Sequence, residues 1–573
     1  MNITPQASKM AYKLFFYSLF FFGFTLNTQS YASTNGDKIL APVLALLLSE
    51  DDPYADYNTE LDAIRLMERA TFGPNEAGVK KILDIGIEAW VDQQIATPAT
   101  YHGEMVDDND QSRRSFTRMI PWWDATIFGQ DQLRQRMAYA LSQILVISES
   151  EILLHQKQRG MIHYYDILVE QGLGNYRELL TEVSTSPAMG DFLSFRNNTG
   201  PNEDQNYARE VMQLFTIGLH QLNIDGTLKL DSQNNPIPTY QQEDVEAMAK
   251  IFSGWTFENG NAARFSNVNG PYLAAMDPVE SRHTKDRKIL FASQPELVTV
   301  FPAGQSARVD MKMALDALFE HPNLAPFVSK QLIQRLVTSN PSPAYVARVA
   351  TVFRKTGGDL AAVAKAIVLD KAALDGHIGD SARTFGKLKE PIQRITHFWR
   401  AGKAQKGTTN IFVTYNTDRS ISQEPLSAKS VFNFYQNDYR PPQFAQFSGF
   451  ENGESQTDFV GPEFAISSGT QTAGFFNFTF GLFHTYIGEP GSRNFTLYQN
   501  PDSLVSRLEL DDNYDEFIRY VDLYYAGGTM SQSMKNGLRS FAQNIRSSSG
   551  TTTDMVRHLN AMIYTSPDFS VQL

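Results

Sequence analysis

The sequence predicts a mainly α-helical protein: a large array of helices with one small β-hairpin insertion. Apolar residues recur at three- and four-residue spacing in most segments after residue 58, and Gly, Pro or capping residues bound these segments. A strand pattern is found in one short stretch between turn residues, near positions 225–236. A hydrophobic content of 42% in 573 residues is ample for a sizeable core.

The N-terminal segment has the pattern of an export signal. Lys9 and Lys13 precede an apolar run at residues 14–26, and Ser30 and Ala32 are small side chains at the cleavage positions. We expect a secretory signal peptide over residues 1–32. An uncleaved anchor is the alternative, although the run is short for a membrane span. An apolar run and then an acidic run indicate a linker over residues 33–58.

Helices are predicted to follow one another through a single large domain, residues 59–573, with a candidate sub-boundary near 375–385. The first helix begins after the capping residue Thr59 and ends before Gly73, and Pro74 suits the first turn of the second helix. Further helices are predicted from the same signals at residues 87–95, 131–147, 161–170, 176–183, 243–252, 306–319, 323–337, 343–353, 359–369, 388–399, 425–434, 462–478, 514–525, 530–545 and 552–563, and one more begins at Pro187.

Two segments interrupt the helices. Residues 227–230 lie between Asp225-Gly226 and a second turn at 233–236, which predicts a β-hairpin. Residues 256–305 are rich in Gly, Asn, Pro and aromatic side chains, and they contain His283 and Lys288. A long irregular segment inside a helical protein is more often functional than a plain linker.

Composition excludes several classes of function. The net charge of −13 argues against nucleic acid or an anionic membrane as a partner and suits a soluble exported protein. The chain has no cysteine, which excludes thiol catalysis, disulfides, zinc–thiolate sites and a lipidated N-terminal cysteine. The sequence also lacks the G-x-S-x-G, H-E-x-x-H, Walker and dinucleotide-binding motifs. We therefore assign no metal site, and the sequence identifies no cofactor.

The densest cluster of unusual polar residues lies on the predicted helix at residues 202–218. At 100° per residue, one narrow arc carries the polar side chains, with Arg209 at its edge: Glu203, Asn206, Glu210 and Gln213. The opposite side is apolar, and the segment contains no lysine, the usual filler of a solvated helix face. Two carboxylates, an amide and a guanidinium on a mostly buried helix need partners, because unpaired buried charge is costly.

One hypothesis places an acid–base site on this helix. The catalytic residues would be Glu203, Glu210 and His283, and the substrate would be bound by Asn206, Arg209, Gln213 and Lys288. Seven helical residues separate the two glutamate backbones by about 10.5 Å at roughly 1.5 Å per residue, so a shared water suits them better than direct nucleophilic attack. The alternative hypothesis is a structural network in which Arg209 and the glutamates satisfy one another. His283 would then be an exposed loop histidine.

Several short stretches together resemble a known bacterial family. They are Arg69–Pro74, Arg134–Leu141, Asn206–Glu210, Leu214–Gly218, His283 with Lys288, His321-Pro322 and Ser566–Phe569. With these stretches the chain resembles the family called domain of unknown function 1800, over nearly all of residues 60–570. The resemblance implies a largely helical, commonly exported protein, often encoded beside a sulfatase-like or phosphatase-like one. Phe215 stands where histidine is frequent in the family and Thr284 where aspartate is common, which argues against a metal site.

The expected function is that of an exported binding or accessory protein, periplasmic or extracellular. The resemblance makes the co-encoded sulfatase-like or phosphatase-like exported protein its candidate partner. We expect no nucleic-acid partner and no stable membrane span after signal cleavage. The alternative is a hydrolase or lyase that uses the paired glutamates on an anionic or sugar-like substrate. A deep cleft walled by Glu203, Glu210 and His283 would favour the enzyme, whereas satisfied buried ion pairs would favour the binding protein.

Overall fold

Helix α1 (Glu60–Ala70) runs through the core of this computed structural model. Thr59 and Asp62 form a capping box at its start, as the capping signal predicts. Every residue from Ala63 to Ala70 is buried, including two arginines and a glutamate. A helix that is buried all round must find partners for its charges on neighbouring elements, so α1 ties together segments that are distant in the chain.

The structure describes residues 54, 56–106, 115–260, 265, 270–379, 382, 384–406, 417–442, 459–486, 497–499, 502–547 and 551–573. The predicted signal peptide, and the predicted linker up to residue 53, lie outside these residues. Helices and strands are numbered below in chain order within the described part.

After α1, the helices before residue 260 are α2 (Glu76–Ile85), α3 (Ile87–Ala96), α4 (Phe116–Phe128), α5 (Gln132–Ser142), α6 (Gln158–Gln171), α7 (Tyr176–Thr185), α8 (Pro187–Phe192), α9 (Asn206–Gln213) and α10 (Gln242–Ile251). The later helices are α11 (Ala307–Glu320), α12 (Leu324–Leu336), α13 (Pro343–Lys355), α14 (Leu360–Val368), α15 (Lys371–Asp375), α16 (Pro391–Ala401), α17 (Thr417–Ile421), α18 (Gly469–Tyr486), α19 (Asp502–Glu509), α20 (Asp515–Ala526), α21 (Gln532–Ser547), α22 (Thr552–Tyr564) and α23 (Pro567–Ser570).

The strands are short and pair in antiparallel twos. The pairs are β1 (Trp255–Thr256) with β2 (Asp277–Pro278), β3 (Lys288–Leu290) with β4 (Thr299–Phe301), β5 (Lys387–Leu388) with β8 (Val571–Gln572), and β6 (Ala404–Lys406) with β7 (Leu497–Gln499). In the third pair Lys387 lies opposite Gln572, so the C-terminal residues close onto the start of α16. The predicted mainly α-helical class with small β insertions is confirmed.

The predicted hairpin after α9 is also present. Single bridges join His220 to Pro238, Leu222 to Leu228 and Leu230 to Pro236, which makes a meander of three short segments. Between β1 and β4, a stretch predicted to be irregular, the described residues contain two of the strand pairs and no helix.

Several predicted helices differ from the structure, and helix α4 was not predicted. The helix predicted at 131–147 ends at Ser142, and the one predicted at 462–478 is a short 3-10 helix, Pro462–Ile466, followed by α18 from Gly469. Residues 425–434 form turns instead of a helix, and Leu426 and Asn433 have left-handed backbone conformations (φ +59° and +62°). Tertiary hydrogen bonds hold this loop, because the Pro425 carbonyl accepts from Arg118 and the Ala428 carbonyl accepts from Ser148. The polar helix predicted at residues 202–218 is also shorter, since α9 begins at Asn206 and ends at Gln213.

One hydrophobic core extends from Ala63 in α1 to Phe569 in α23, and it includes residues on both sides of 375–385. Its C-terminal part is an aromatic cluster around Phe398, which packs against Trp399, Tyr525 and Tyr564. Among the described helices, none has both the length and the apolar character that a membrane span requires.

Candidate functional site

The residues of the predicted acid–base site lie around α9. Glu203 precedes the helix, so the helical spacing between Glu203 and Glu210 does not apply. Asn206 is exposed at the first position of α9, whereas Arg209, Glu210 and Gln213 are half-buried. The polar face is therefore in partial contact with solvent.

His283 and Lys288 belong to a buried network centred on Asp310 of α11. His283 Nε2 lies 3.0 Å from Asp310 Oδ2, and Lys288 Nζ donates to the same oxygen at 2.6 Å. The three side chains are 0%, 1% and 0% exposed for His283, Lys288 and Asp310, so the exposed-loop interpretation of His283 is wrong. Burial opposes ionisation, but hydrogen bonds from His283 and Lys288 keep the pKa of the Asp310 carboxyl below its usual value. The network fastens the segment after β2 to α11.

Glu203 lies near this network through Thr284. Its Oε1 accepts a hydrogen bond of 2.5 Å from Thr284 Oγ1, and the Thr284 amide donates to Ser253 Oγ at 2.8 Å. The Ser253 carbonyl in turn lies 3.0 Å from His283 Nδ1. Glu203 and His283 are therefore linked by hydrogen bonds through Thr284 and Ser253.

Glu210 lies in a separate cluster. Its Oε2 is buried and has no hydrogen-bond partner among the described residues. Burial raises the pKa of this carboxyl, against the opposing charge of Arg209. One turn further on, Gln213 Oε1 accepts from the Tyr240 hydroxyl at 3.2 Å. Among the described hydrogen bonds, none joins Glu210 to Glu203 or to His283.

A different region contains a large cleft, with a volume of about 1120 Å³. It lies between α1, α2 and α3 on one side and the ends of α4 and α16 with α19 and α20 on the other. Six basic and two acidic side chains line it: Lys80, Lys81, Arg400, Lys403, Arg507, Arg519, Glu60 and Glu76. We call it the basic cleft, because this excess of positive charge occurs in a chain with a net charge of −13.

Ion pairs hold the charges of the basic cleft in place. Glu76 contacts both Lys403 and Arg507 at 2.8 Å, and Arg507 also contacts Glu516 at 2.8 Å. Burial raises the pKa of Glu76, but the hydrogen bonds and charges of Lys403 and Arg507 outweigh it and lower this pKa. Arg519 also pairs with Glu60 and Glu516, and Lys80 pairs with Asp84. Acids in and beside the cleft therefore pair with four of its six cations, whereas Arg400 donates to backbone carbonyls and Lys81 is in no ion pair among the described residues.

The basic cleft also contains buried aromatic rings and unused donors. The rings of Tyr520 and Tyr524 stack at 4.6 Å, and the Arg507 guanidinium lies 4.2 Å from the centre of the Tyr520 ring. Trp399 Nε1 and Arg507 Nε are buried and have no hydrogen-bond partner among the described residues. Positive charge and unused N–H donors together suit an anionic ligand.

None of the residues that line the basic cleft was predicted from the sequence to be functional, since Glu76, Lys403 and Arg507 come from distant parts of the chain. One signal pointed to the region. The stretch Arg69–Pro74, quoted above for the family resemblance, contains Thr71, which lines the cleft, and Gly73, whose carbonyl accepts from Arg400 Nε at 2.7 Å. Within the described part of the chain, no group of three or more His, Asp or Glu side chains is arranged to hold a metal ion.

A second polar centre is buried beneath β5 and α16. Glu390 is fully buried and accepts from the Tyr139 hydroxyl at 2.5 Å and from Gln143 Nε2 at 2.8 Å. Lys387 Nζ contacts Glu463 at 2.9 Å, with both side chains buried. Burial by itself raises the pKa of Glu390, but the charge of Lys387 and the neighbouring hydrogen-bond donors lower this pKa by more. The carboxylate therefore stays charged in the core.

These features define a large, mainly α-helical protein with one hydrophobic core, several buried ionic networks and a basic cleft. The chain matches the family model described as Protein of unknown function (DUF1800) over residues 65–571. It belongs to that family, and the family resemblance seen in the sequence is confirmed. No curated protein and no solved structure matches the chain.

Proposed function

We propose that this protein is an exported binding protein that holds an anionic sugar chain, a sulfated or phosphorylated oligosaccharide, in the basic cleft. The observation that carries the proposal is the lining of six basic and two acidic side chains in a strongly acidic chain. The volume of about 1120 Å³ is above the range of roughly 300–1000 Å³ typical of small-molecule sites. It therefore suits several linked rings better than one small metabolite.

The recognition chemistry follows from the lining groups. Sulfate and phosphate oxygens accept charge-assisted hydrogen bonds from guanidinium and ammonium groups, which Arg507 and Lys403 provide. Trp399 Nε1 and Arg507 Nε can donate to further oxygens of the ligand. Leu83 lines the cleft and is 43% exposed, so it offers apolar contact to a sugar ring.

The partner that the family resemblance implies fits the same chemistry. A sulfatase-like or phosphatase-like exported protein would act on sulfate or phosphate esters, the groups that the basic cleft would hold. The present protein would then serve as an accessory that keeps such a substrate near its partner, in the periplasm or outside the cell.

A hydrolase or lyase centred on Glu203 and Glu210 has less support. Glu203 accepts from Thr284, whereas Glu210 Oε2 has no hydrogen-bond partner among the described residues, and no described hydrogen bond joins the two glutamates. The His283 ring is committed to Asp310 and the Ser253 carbonyl. The buried ion pair of Lys288 and Asp310 is the arrangement expected of a structural network.

The test is calorimetric titration of the purified protein with a sulfated oligosaccharide and with its desulfated counterpart. We expect binding of the sulfated ligand and at least tenfold weaker binding of the neutral one. Arg507→Gln removes charge-assisted hydrogen bonds of about 1.5–3 kcal/mol and should weaken binding about tenfold or more. Arg539→Gln is the matched control, since Arg539 pairs with Asp515 at 2.7 Å and does not line the cleft.

Equal affinity for the two ligands, or equal losses in the two variants, would refute the proposal. Sugar release is followed in the same samples, with Glu203→Gln and Glu210→Gln in parallel. Turnover that stops in these variants would instead support the hydrolase or lyase.

A further inference from the structure

A second cleft has the opposite charge. Its volume is about 410 Å³, and it lies between α6, α7 and the segment at residues 101–104. Its titratable side chains are four carboxylic acids, one histidine and one tyrosine: Glu104, Asp166, Glu170, Glu182, His163 and Tyr101. Among the described residues that line it, none is lysine or arginine. We call it the acidic cleft.

Among the described residues, no cationic side chain forms an ion pair with the acids of this cleft. Asp166 Oδ1 and Oδ2 accept from the backbone amides of His102 and Gly103 at 2.7 and 2.8 Å, which fixes the carboxyl in one orientation. Burial raises the pKa of Asp166 to about 6, and Glu104 adds to this rise. Burial likewise raises the pKa of Glu182, with a contribution from Glu170. Burial is the main cause of both shifts, and neighbouring acids add smaller contributions, from Glu104 at Asp166 and from Glu170 and Glu178 at Glu182.

Ser186 provides an independent indication of a ligand. It lines the acidic cleft, it is 3% exposed, and its Oγ is buried with no hydrogen-bond partner among the described residues. It precedes α8 in the capping position, where a serine hydroxyl ordinarily accepts from the helix, but it makes no such bond. Buried hydroxyls are nearly always hydrogen-bonded, so an unused one beside a cleft points to a group that arrives from outside.

The rest of the lining indicates the shape of that group. Ile167, Pro187, Ala274 and Ala275 supply apolar surface next to the carboxylates. No set of three or more His, Asp or Glu side chains among the described residues suits a metal ion, which argues against a simple divalent cation. An ammonium group brings three donors and one positive charge, and an alkyl stem suits the apolar surface.

We propose that the acidic cleft binds a small aliphatic polyamine. One ammonium group pairs with Asp166 and Glu182 and donates to Ser186 Oγ. The alkyl stem lies against Ile167 and the two alanines, and the remaining ammonium groups face Glu104 and Glu170. This site is distinct from the basic cleft, and it does not depend on the function proposed there.

Titration calorimetry with spermidine as the probe tests this site. Glu182→Gln is the main variant, because glutamine keeps the acceptor that Glu182 Oε1 presents to Gln171 Nε2 at 2.7 Å. We expect spermidine to bind the unaltered protein and to bind Glu182→Gln at least fivefold more weakly. Ser186→Ala should also weaken binding, by two- to fivefold. Glu178→Gln is the matched control, because Glu178 lies on the same helix as Glu182, α7, and its side chain is exposed and outside the cleft. The affinity of this variant for spermidine should stay within twofold of that of the unaltered protein.

Three results would overturn the proposal: no spermidine binding, an equal loss in Glu178→Gln, or displacement of spermidine by calcium at equal concentration. Arg507→Gln should leave spermidine binding unchanged, so failure at one cleft is distinguishable from failure at the other. The melting temperature of each variant shows whether it is folded.

Discussion

Replacing Asp310 by asparagine tests whether the network around His283 and Lys288 is a structural element of the core. Asp310 is fully buried and receives both Lys288 Nζ and His283 Nε2 on one oxygen, while Gln305 donates to the other at 2.7 Å. Asp310→Asn leaves the Lys288 ammonium buried without its counter-charge. Breaking a buried pair by removing one partner costs about 3–5 kcal/mol, a large part of a total stability of about 5–15 kcal/mol.

The assay is urea unfolding of the unaltered protein and the variant. Their free energies of unfolding are compared provided that both depend on urea concentration with the same slope. Asp316→Asn is the matched control on the same helix, because Asp316 pairs with Arg177 and Lys312 and its side chain is 43% exposed. An exposed pair contributes about 0–1 kcal/mol, so this control should lose no more than that. A loss below about 1 kcal/mol in Asp310→Asn, or equal losses in the two variants, would refute the structural role.

The pH dependence gives a second check on Asp310. The folded-state pKa of this carboxyl is lowered, so its contribution is fully present above the unfolded-state value of about 3.9. The contribution is lost as pH falls through the lower, folded-state value. The difference in the free energy of unfolding between Asp310→Asn and the unaltered protein should therefore be largest from pH 5 to 7 and shrink below about pH 4. A difference that stays constant to pH 3 would exclude an electrostatic cause.

Three further perturbations have expected outcomes. Glu390→Gln should lower stability by about 3 kcal/mol, measured by urea unfolding, because it removes a buried carboxylate from its donors and from Lys387. Glu210→Met should raise stability at pH 7, and the gain should shrink as pH falls to about 4, since burial raises the pKa of Glu210 and penalises its charged form. Gly73→Ala should lower the melting temperature far more than Gly304→Ala. Both glycines have positive φ, but a Cβ at Gly73 would lie 2.6 Å from the His397 Cα, whereas a Cβ at Gly304 meets nothing within 4 Å.

Local signals predicted much of the secondary structure. The capping residue Thr59 is recognised from its own neighbours, since helix ends are set by hydrogen bonds and backbone limits a few residues apart. The turn pair around residues 225–236 specified the meander for the same reason. The helix predicted at residues 388–399 was placed three residues too early, because α16 begins at Pro391.

Where tertiary contacts override local preference, the sequence pattern failed. Residues 425–434 have a helical pattern, but Arg118 and Ser148 take carbonyl oxygens of this loop as hydrogen-bond acceptors. These partners lie about 280–310 residues away in the chain, so no window of sequence contains them.

The dependence on partners distant in the chain also explains why the sequence and the structure differ on the functional residues. Periodicity correctly identified polar side chains near α9, but it could not assign their partners. Asp310 joins His283 and Lys288 only because α11 packs beside the segment after β2. Whether Glu203 and Glu210 act in a reaction stays a prediction, and the experiment with their glutamine variants addresses it.

The sequence by itself determined the mainly α-helical class, the family and most helix boundaries, because these depend on periodicity, capping and short motifs. Only the tertiary structure decided where charge accumulates. The basic cleft combines Glu76, Lys403 and Arg507, and the acidic cleft combines Asp166 and Glu182 with Ser186. Electrostatic interactions depend on distance in space and on burial, and the chain sets both only when its helices pack together.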